Sequence, residues 1–141
     1  MKLTLLALSA VIAFASCKAN KTVATNSTLT VIDLDQPKYP EVVKIRVSDT
    51  LHLSLEGNVT TGYNWYSNID STNQTFAIIG ESYESKNKNP NMVGAPSIKT
   101  FAYKAKKSGK ETVILEYYQG WNKNVDPNTG TRKIVVEVVE K

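Results

Sequence analysis

The sequence predicts an all-β domain, and three observations support this prediction. Apolar and polar residues alternate with a period of two in several short segments, which is typical of strands buried on one face. Clusters of Asn, Asp, Gly, Pro and Ser, which favour turns, separate these segments. No segment places apolar residues at the helical spacing of three and four.

The alternation is clearest in four segments, whose apolar faces begin at Leu51, Phe101, Val113 and Ile134. Together with four less regular segments they give eight predicted strands, at 28–32, 42–47, 51–56, 63–66, 75–79, 101–106, 112–117 and 133–138. About eight short strands separated by turns indicate an immunoglobulin-like antiparallel β-sandwich of seven to eight strands, with a closed barrel as the alternative.

The N-terminus is predicted to be an export signal. Lys2 is followed by residues 3–13, which are almost wholly apolar but too few to span a bilayer, which needs ~20 apolar residues. Cleavage after the small residues Ala13 and Ala15 is one processing route. The other uses residues 14–17, which resemble a bacterial lipobox and would make Cys17 the lipidated first residue.

We favour lipidation because Cys17 is the only cysteine of the chain and has no partner for an intramolecular disulfide. The predicted organisation is therefore a lipoprotein-type signal peptide at 1–16, a polar tether at 17–27 and one domain at 28–141. The protein is expected to be exported and anchored to a membrane at the periplasmic or cell surface, with a soluble secreted form as the alternative.

Composition argues against a nucleic-acid-binding protein and against an enzyme. The chain has 17 basic and 13 acidic residues, a net charge of +4, but the lysines are scattered and form no basic stripe. His52 is the only histidine and is predicted to lie on the exposed face of a strand. The acidic residues are not arranged as a carboxylate pair or a metal cage. The segment 126–130 is predicted to be a turn, with a calcium site as a distant alternative. We expect no cofactor, no metal and no catalytic residue.

Three segments have the composition of binding loops. The segment 58–62 is a polar turn in which Gly62 permits a backbone conformation that a Cβ disfavours. The segment 85–97 is long and polar, and the third begins at Tyr118 and contains Trp121, which stands just beyond a strand as an interface anchor would. Since alternate loops of a sandwich gather at one end, the three are expected to lie together. We assign Tyr63, Trp65, Phe101 and Tyr117 to the core or its rim.

These segments resemble the three motifs of the chagasin-like inhibitors of papain-family cysteine peptidases. Residues 58–65, read as Asn-Val-Thr-Thr-Gly-Tyr-Asn-Trp, are similar to Asn-Pro-Thr-Thr-Gly-Tyr-x-Trp. Residues 93–97 before Phe101 are similar to Gly-x-Gly-Gly before a strand, and residues 117–121 to Tyr-x-Arg-Pro-Trp. Their order and spacing match. The sequence departs from the motifs at Val59, at Pro96 and Ser97, and at Gln119 and Gly120.

The resemblance implies a reversible, non-covalent inhibitor whose three loops enter the active-site cleft of papain-like peptidases. The residues implied to contact the peptidase are Asn58, Val59, Thr60, Thr61, Gly62, Gly94, Ala95, Pro96, Ser97, Gln119, Gly120 and Trp121. The expected partners are papain-like cysteine peptidases and, through Cys17, a membrane. The domain is expected to be monomeric and not to bind nucleic acid. An immunoglobulin-like adhesion or carbohydrate-binding module is the alternative function.

Overall fold

The computed structural model of the protein describes residues 26–87, 89, 94–125 and 130–140. They form eight strands and one short 3-10 helix, Val59–Thr61. The strands are β1 (Leu29–Asp33), β2 (Val42–Arg46), β3 (Thr50–Gly57), β4 (Tyr63–Ser67), β5 (Phe76–Ser85), β6 (Ser97–Ala105), β7 (Gly109–Gln119) and β8 (Thr131–Val139). All eight predicted strands are confirmed, although several are longer than the alternation indicated.

The strands form two four-stranded sheets, with orders β1-β3-β6-β5 and β2-β8-β7-β4. This arrangement confirms the predicted immunoglobulin-like sandwich. Its pairing differs from the antiparallel expectation at two edges, because β1 pairs parallel with β3 and β2 pairs parallel with β8. Side chains alternate between faces in both kinds of pair, so the alternation could not reveal the direction of the two N-terminal strands.

The core lies between the two sheets and consists of the predicted apolar faces. Leu51, Leu53 and Leu55 of β3 have no exposed surface and share the interior with Phe101 and Tyr103 of β6. The facing sheet contributes a second set of buried residues, Trp65, Val113, Leu115, Ile134, Val136 and Val138. The Nε1 of Trp65 donates to the backbone oxygen of Glu56 at 2.8 Å, which links the sheets and satisfies the buried indole. His52 lies on the opposite face of β3 and is half-buried rather than fully exposed.

Strand β5 is the largest departure from the predicted boundaries. It was expected to end at residue 79 but continues to Ser85, with a register irregularity between Ile78 and Gly80. From Ile78 onward its residues are exposed on both faces. A strand exposed on both faces shows no alternation of apolar and polar residues, and the bulge changes which of the following residues share a face. The alternation in the sequence therefore did not predict the strand beyond residue 79.

Lys99 is a buried charge that the sequence analysis missed. It follows the inward alternation of β6, and its Nζ donates to the backbone oxygen of Trp65 at 2.8 Å and forms an ion pair with Glu81 at 2.8 Å. The ammonium group also lies 4.5 Å from the ring centroid of Phe101. Lys99 therefore ties the edge strand β4 to the other sheet, and its charge is compensated at the point of burial.

Removing this ammonium group should destabilise the sandwich. Lys99→Met keeps the apolar stem but leaves the Trp65 carbonyl without its donor, so we expect a loss of about 2–4 kcal/mol in the free energy of unfolding. Lys44→Met is the matched control, because Lys44 pairs with Glu137 at 3.4 Å on the surface and should cost less than about 1 kcal/mol. Urea denaturation of both variants measures the difference, and equal losses would contradict a stabilising role for Lys99.

Candidate functional site

The three predicted loops lie at the same end of the sandwich. Loop 1 (58–62) joins β3 to β4, loop 2 (94–97, the described part nearest β6) lies between β5 and β6, and loop 3 (119–122) follows the body of β7. Asn58 Nδ2 donates to the Gly94 oxygen at 3.0 Å, and Gln119 Nε2 donates to the Thr61 oxygen at 3.4 Å. Loop 1 is therefore bonded to both of its neighbours, which confirms that the loops share one end.

Loop 1 has a fixed internal geometry. Asn58 caps the 3-10 helix, and its Oδ1 accepts from the nitrogen of Thr60 at 3.2 Å and from its Oγ1 at 2.6 Å. Thr61 Oγ1 donates to the Asn58 oxygen at 2.6 Å, and Gly62 ends the helix with a left-handed φ of 79°. Both threonine hydroxyls thus donate inside the loop while the residues stay exposed, so the loop has a defined shape before it meets a partner.

Tyr117 supports loop 1 from below. Its hydroxyl oxygen accepts from the backbone nitrogen of Asn58 at 2.9 Å. The ring packs 5.0 Å from Trp65 and 5.3 Å from Tyr63, centroid to centroid. Trp65 and Phe101 are buried and Tyr63 and Tyr117 are half-buried, which confirms their assignment to the core and its rim. The bond from Tyr117 to loop 1 was not predicted, because it joins residues 59 positions apart.

Trp121 and Gly62 lie against each other. The indole is 74% exposed, yet a Cβ built on Gly62 would lie 2.1 Å from its Cη2. From the sequence, Gly62 is expected for its backbone conformation and for close approach to a peptidase. The structure adds a further reason, because only glycine leaves space for the indole to cross loop 1. One side of Trp121 is thereby supported by the protein, and most of its surface faces solvent.

Loop 3 rests on two tyrosines of the outer face. Tyr66 and Tyr118 stack with centroids 4.2 Å apart, and a Cβ built on Gly120 would lie 3.0 Å from the Tyr66 hydroxyl. The backbone then closes a turn in which the Asn122 nitrogen donates to the Gln119 oxygen at 2.8 Å. Gly120 and this turn direct the chain so that Trp121 reaches loop 1.

Two of the predicted loop boundaries change. Ser97 was expected in loop 2 but is the first residue of β6, is 8% exposed, and its Oγ lies 3.4 Å from the Gly57 oxygen. Gln119, expected just past a strand, is the last residue of β7. Gly94 and Pro96 are exposed and Ala95 is half-buried, whereas Val93 lies outside the described residues, as do Cys17 and most of the turn at 126–130.

The described residues of the three loops carry no charge, whereas Lys88 of the predicted segment 85–97 lies outside the described residues. None of the residues 58–62, 94–97 and 119–122 is charged. Two nearby cations of the described part are paired: Lys86 with Glu56, and Lys123 with Glu116 at 3.1 Å. The hydrogen bond to Glu56 raises the pKa of Lys86, and the bond to Glu116 raises the pKa of Lys123, so both remain charged and paired at neutral pH.

Two other features are absent from the described part of the chain. Within it, no three His, Cys, Asp or Glu side chains come close enough to hold a metal ion. The same residues include no helix of the length and apolarity needed to cross a membrane. The exposed loop end is the feature that requires a functional explanation.

Comparison with known proteins points to one family. A family model described as chagasin family peptidase inhibitor I42 matches residues 44–136, which include all three loops. Amoebiasin-2 of Entamoeba histolytica is 32% identical over 83 residues, which cover 59% of this chain and 66% of that protein. The aligned segment is thus just under two thirds of the length of that relative.

Solved structures share the fold. The cysteine protease inhibitor EhICP2 of Entamoeba histolytica superposes with a TM-score of 0.62 at 24% identity, covering 82% of this chain and 98% of that one. ICP of Leishmania mexicana gives a TM-score of 0.55 at 22% identity, covering 75% and 94%. At these identities the likeness shows the common sandwich and its topology.

The contact between Gly62 and Trp121 predicts a specific pattern of stability. Gly62→Ala should destabilise the domain by about 2 kcal/mol or more, because the left-handed φ costs about 1–2 kcal/mol and the Cβ also displaces the indole. In a Trp121→Ala background the same change should cost only the backbone part. Thermal unfolding of the four proteins in this cycle measures the coupling.

Gly80→Ala is the control for this cycle, since a Cβ at Gly80 meets no atom within 4 Å and its φ is not positive. It should change the stability by less than about 1 kcal/mol. Equal effects of Gly62→Ala in the two backgrounds would show that the indole does not occupy the space above Gly62.

Proposed function

We propose that this chain, which belongs to the chagasin family of peptidase inhibitors, blocks papain-like cysteine peptidases by reversible, non-covalent occlusion of the active-site cleft. Members of this family are inhibitors and not enzymes. The observation that carries the proposal is the joining of three loops into one exposed end, whose described residues are uncharged and include the 74% exposed Trp121. Family membership favours inhibition over adhesion or carbohydrate binding.

Loop 1 is the part of the surface suited to the peptidase's catalytic Cys and His. Thr60 and Thr61 are exposed, and Gly62 follows them without a side chain. The backbone of this loop is a 3-10 turn ending in a left-handed residue, not the extended strand that a substrate presents for cleavage. Loop 1 would therefore fill the catalytic position without offering a peptide bond in the geometry of a substrate.

The other two loops would contact the walls of the cleft. Trp121 supplies a large aromatic surface with few torsions to restrict, and Gln119 and Gly120 hold it in place beside loop 1. Gly94, Ala95 and Pro96 would cover the opposite wall. We assign Ser97 to support of loop 2 rather than to contact, because it is buried within β6.

Rigidity would make this surface an effective inhibitor. A standard-sized interface can bind weakly or tightly, depending on how much conformational freedom is lost on association. Here loop 1 is already bonded to loop 2, to loop 3 and to the sheet. Most of the ordering that a peptidase would otherwise impose is therefore present in the free protein. Since the described residues of the three loops carry no charge, we expect affinity to depend little on long-range electrostatic attraction from them.

We also propose that the protein is exported and anchored by a lipid on Cys17, with 17–27 as the tether. This follows from the predicted signal peptide and from the single cysteine in the residues 14–17 that resemble a lipobox. The inhibitor domain would then act outside the cytoplasm, on peptidases of the same compartment or on those encountered at the surface.

Truncating Trp121 should sharply weaken inhibition while preserving the fold. A central aromatic anchor contributes at least about 2 kcal/mol, so Trp121→Ala should raise the inhibition constant for papain by at least roughly thirtyfold. The measurement is a titration of papain activity with the purified protein, with circular dichroism to establish folding. Serine peptidases titrated in parallel should retain their activity.

Ile79→Ala is the matched control for this titration, because Ile79 is also exposed, at 57%, but lies on β5 and outside the three loops. Its inhibition constant should equal that of the parent protein. Full papain activity at micromolar parent protein would contradict the proposed function. Unchanged inhibition by a folded Trp121→Ala variant would instead contradict the role given to loop 3.

The anchoring proposal has a separate test. In the native host the protein should partition with membranes, and Cys17→Ala should release it or leave it unprocessed. Intact mass of the native protein should show acyl groups on a chain that begins at Cys17. A mature chain beginning at Ser16 without added mass would establish the soluble form instead.

A further inference from the structure

We propose that Asn58 and Tyr117 are positioning residues for inhibition, which hold loop 1 in its binding conformation before a peptidase is met. This inference deepens the proposed function and rests on it for its binding consequences. Its structural part concerns the free protein alone. Asn58 was expected to contact the peptidase, and Tyr117 was expected only to pack at the rim of the core.

Both the oxygen and the nitrogen of the Asn58 side-chain amide form hydrogen bonds. Its oxygen accepts from Thr60 and thereby caps the 3-10 helix of loop 1. Its nitrogen donates to the Gly94 oxygen, 3.0 Å away on loop 2. Asp could serve as a cap but has no N–H to donate, and Ser would have to accept from Thr60 and donate to Gly94 through a single oxygen. Asn58 thus sets the shape of loop 1 and its separation from loop 2 with one group.

Tyr117 fixes the position of Asn58 itself. Its hydroxyl accepts from the Asn58 backbone nitrogen at 2.9 Å, and its ring lies between Tyr63 and the buried Trp65. The backbone nitrogen of Tyr117 donates to the Gly130 oxygen at 2.8 Å, at the start of β8. The hydroxyl therefore projects from β7, which is paired with β8 on one side and β4 on the other, and its bond to Asn58 sets the position of loop 1 above the core.

Loss of either contact should reduce the fraction of protein that is ready to bind. If only a fraction of the molecules holds loop 1 correctly, the apparent dissociation constant rises in inverse proportion to that fraction. The peptidase itself would hold the loop once bound, so the change should fall mainly on the association rate. A residue that contacts the peptidase directly would instead change the dissociation rate.

The first experiment compares two Tyr→Phe variants that each lose one hydroxyl. Tyr117→Phe should lower the association rate with papain by about threefold to tenfold, the equivalent of one hydrogen bond, and leave the dissociation rate within twofold. Tyr83→Phe is the control, since the Tyr83 hydroxyl donates to Asn64 Oδ1 at 3.1 Å outside the three loops. Its rates should equal those of the parent protein.

Asn58→Asp tests the link to loop 2. It retains the oxygen that caps the helix but removes the N–H donated to Gly94, and should lower the association rate by a similar factor. Val59→Pro should partly restore the rate in the Tyr117→Phe background. Val59 is the first residue of the 3-10 helix, where proline's fixed φ is suitable, and Asn58 before it is extended, with φ −128° and ψ 92°.

Amide hydrogen exchange in the free full-length protein separates this inference from the proposed function. In Tyr117→Phe the amides of Thr61 and Gly62, which donate to Asn58 and Val59 oxygens at 3.3 and 3.1 Å, should exchange at least threefold faster. Unchanged exchange at these two amides would overturn the positioning role, whether or not papain is inhibited. Faster exchange in a protein that does not inhibit papain would keep the positioning role and reject the proposed function.

Discussion

Tyr117 lies where the core of the sandwich meets the loops, and the arrangement of the loop end depends on its packing. Its ring fills the space between Tyr63 and Trp65, and Trp65 is itself tied to the other sheet through the Glu56 carbonyl. The Tyr117 hydroxyl accepts a hydrogen bond from the Asn58 backbone nitrogen and so fixes the position of loop 1 relative to the core. A loop anchored in this way loses little further entropy on binding, which is the main advantage of a sandwich as a scaffold for recognition.

The packing of loop 3 onto loop 1 depends on the absence of side chains. Gly62 leaves space for the indole of Trp121, and Gly120 leaves space for the hydroxyl of Tyr66. Large and small residues are thus matched between segments far apart in the chain. An exposed tryptophan without such support would lose rotamer freedom on binding, at a cost of ~0.5–1.5 kcal/mol, and would serve less well as an anchor.

The sequence could predict features that depend on local pattern. Clear alternation identified four of the eight strands and placed Leu51, Phe101 and Val113 in the core, because burial of one face acts directly on residue choice. The shared end of the loops followed from the topology of a sandwich. The resemblance of the motifs then identified the family.

Features that depend on distant partners could not be predicted in this way. The contact of Gly62 with Trp121 and the bond from Tyr117 to Asn58 join segments that are 59 positions apart in the chain, and nothing in the local sequence marks them. The inward position of Lys99 could have been found by extending the alternation of Phe101 and Tyr103 two residues back. It was missed because a lysine is normally taken as exposed.

The two departures from the third family motif, Gln119 and Gly120, have a common explanation in the contacts of loop 3. Gln119 replaces a cation, and its neutral amide donates to the Thr61 oxygen, so the residue joins loop 3 to loop 1 rather than extending a charge toward a partner. Gly120 replaces a proline where any Cβ would lie 3.0 Å from the Tyr66 hydroxyl. A proline at this position would therefore require Tyr66 to shift, and with it the stacked Tyr118. The glycine gives up the rigidity of proline, but the bond from Gln119 and the packing of Trp121 on Gly62 supply constraints of a different kind. In this chain loop 3 is held by its contacts with neighbouring segments more than by the stiffness of its own backbone.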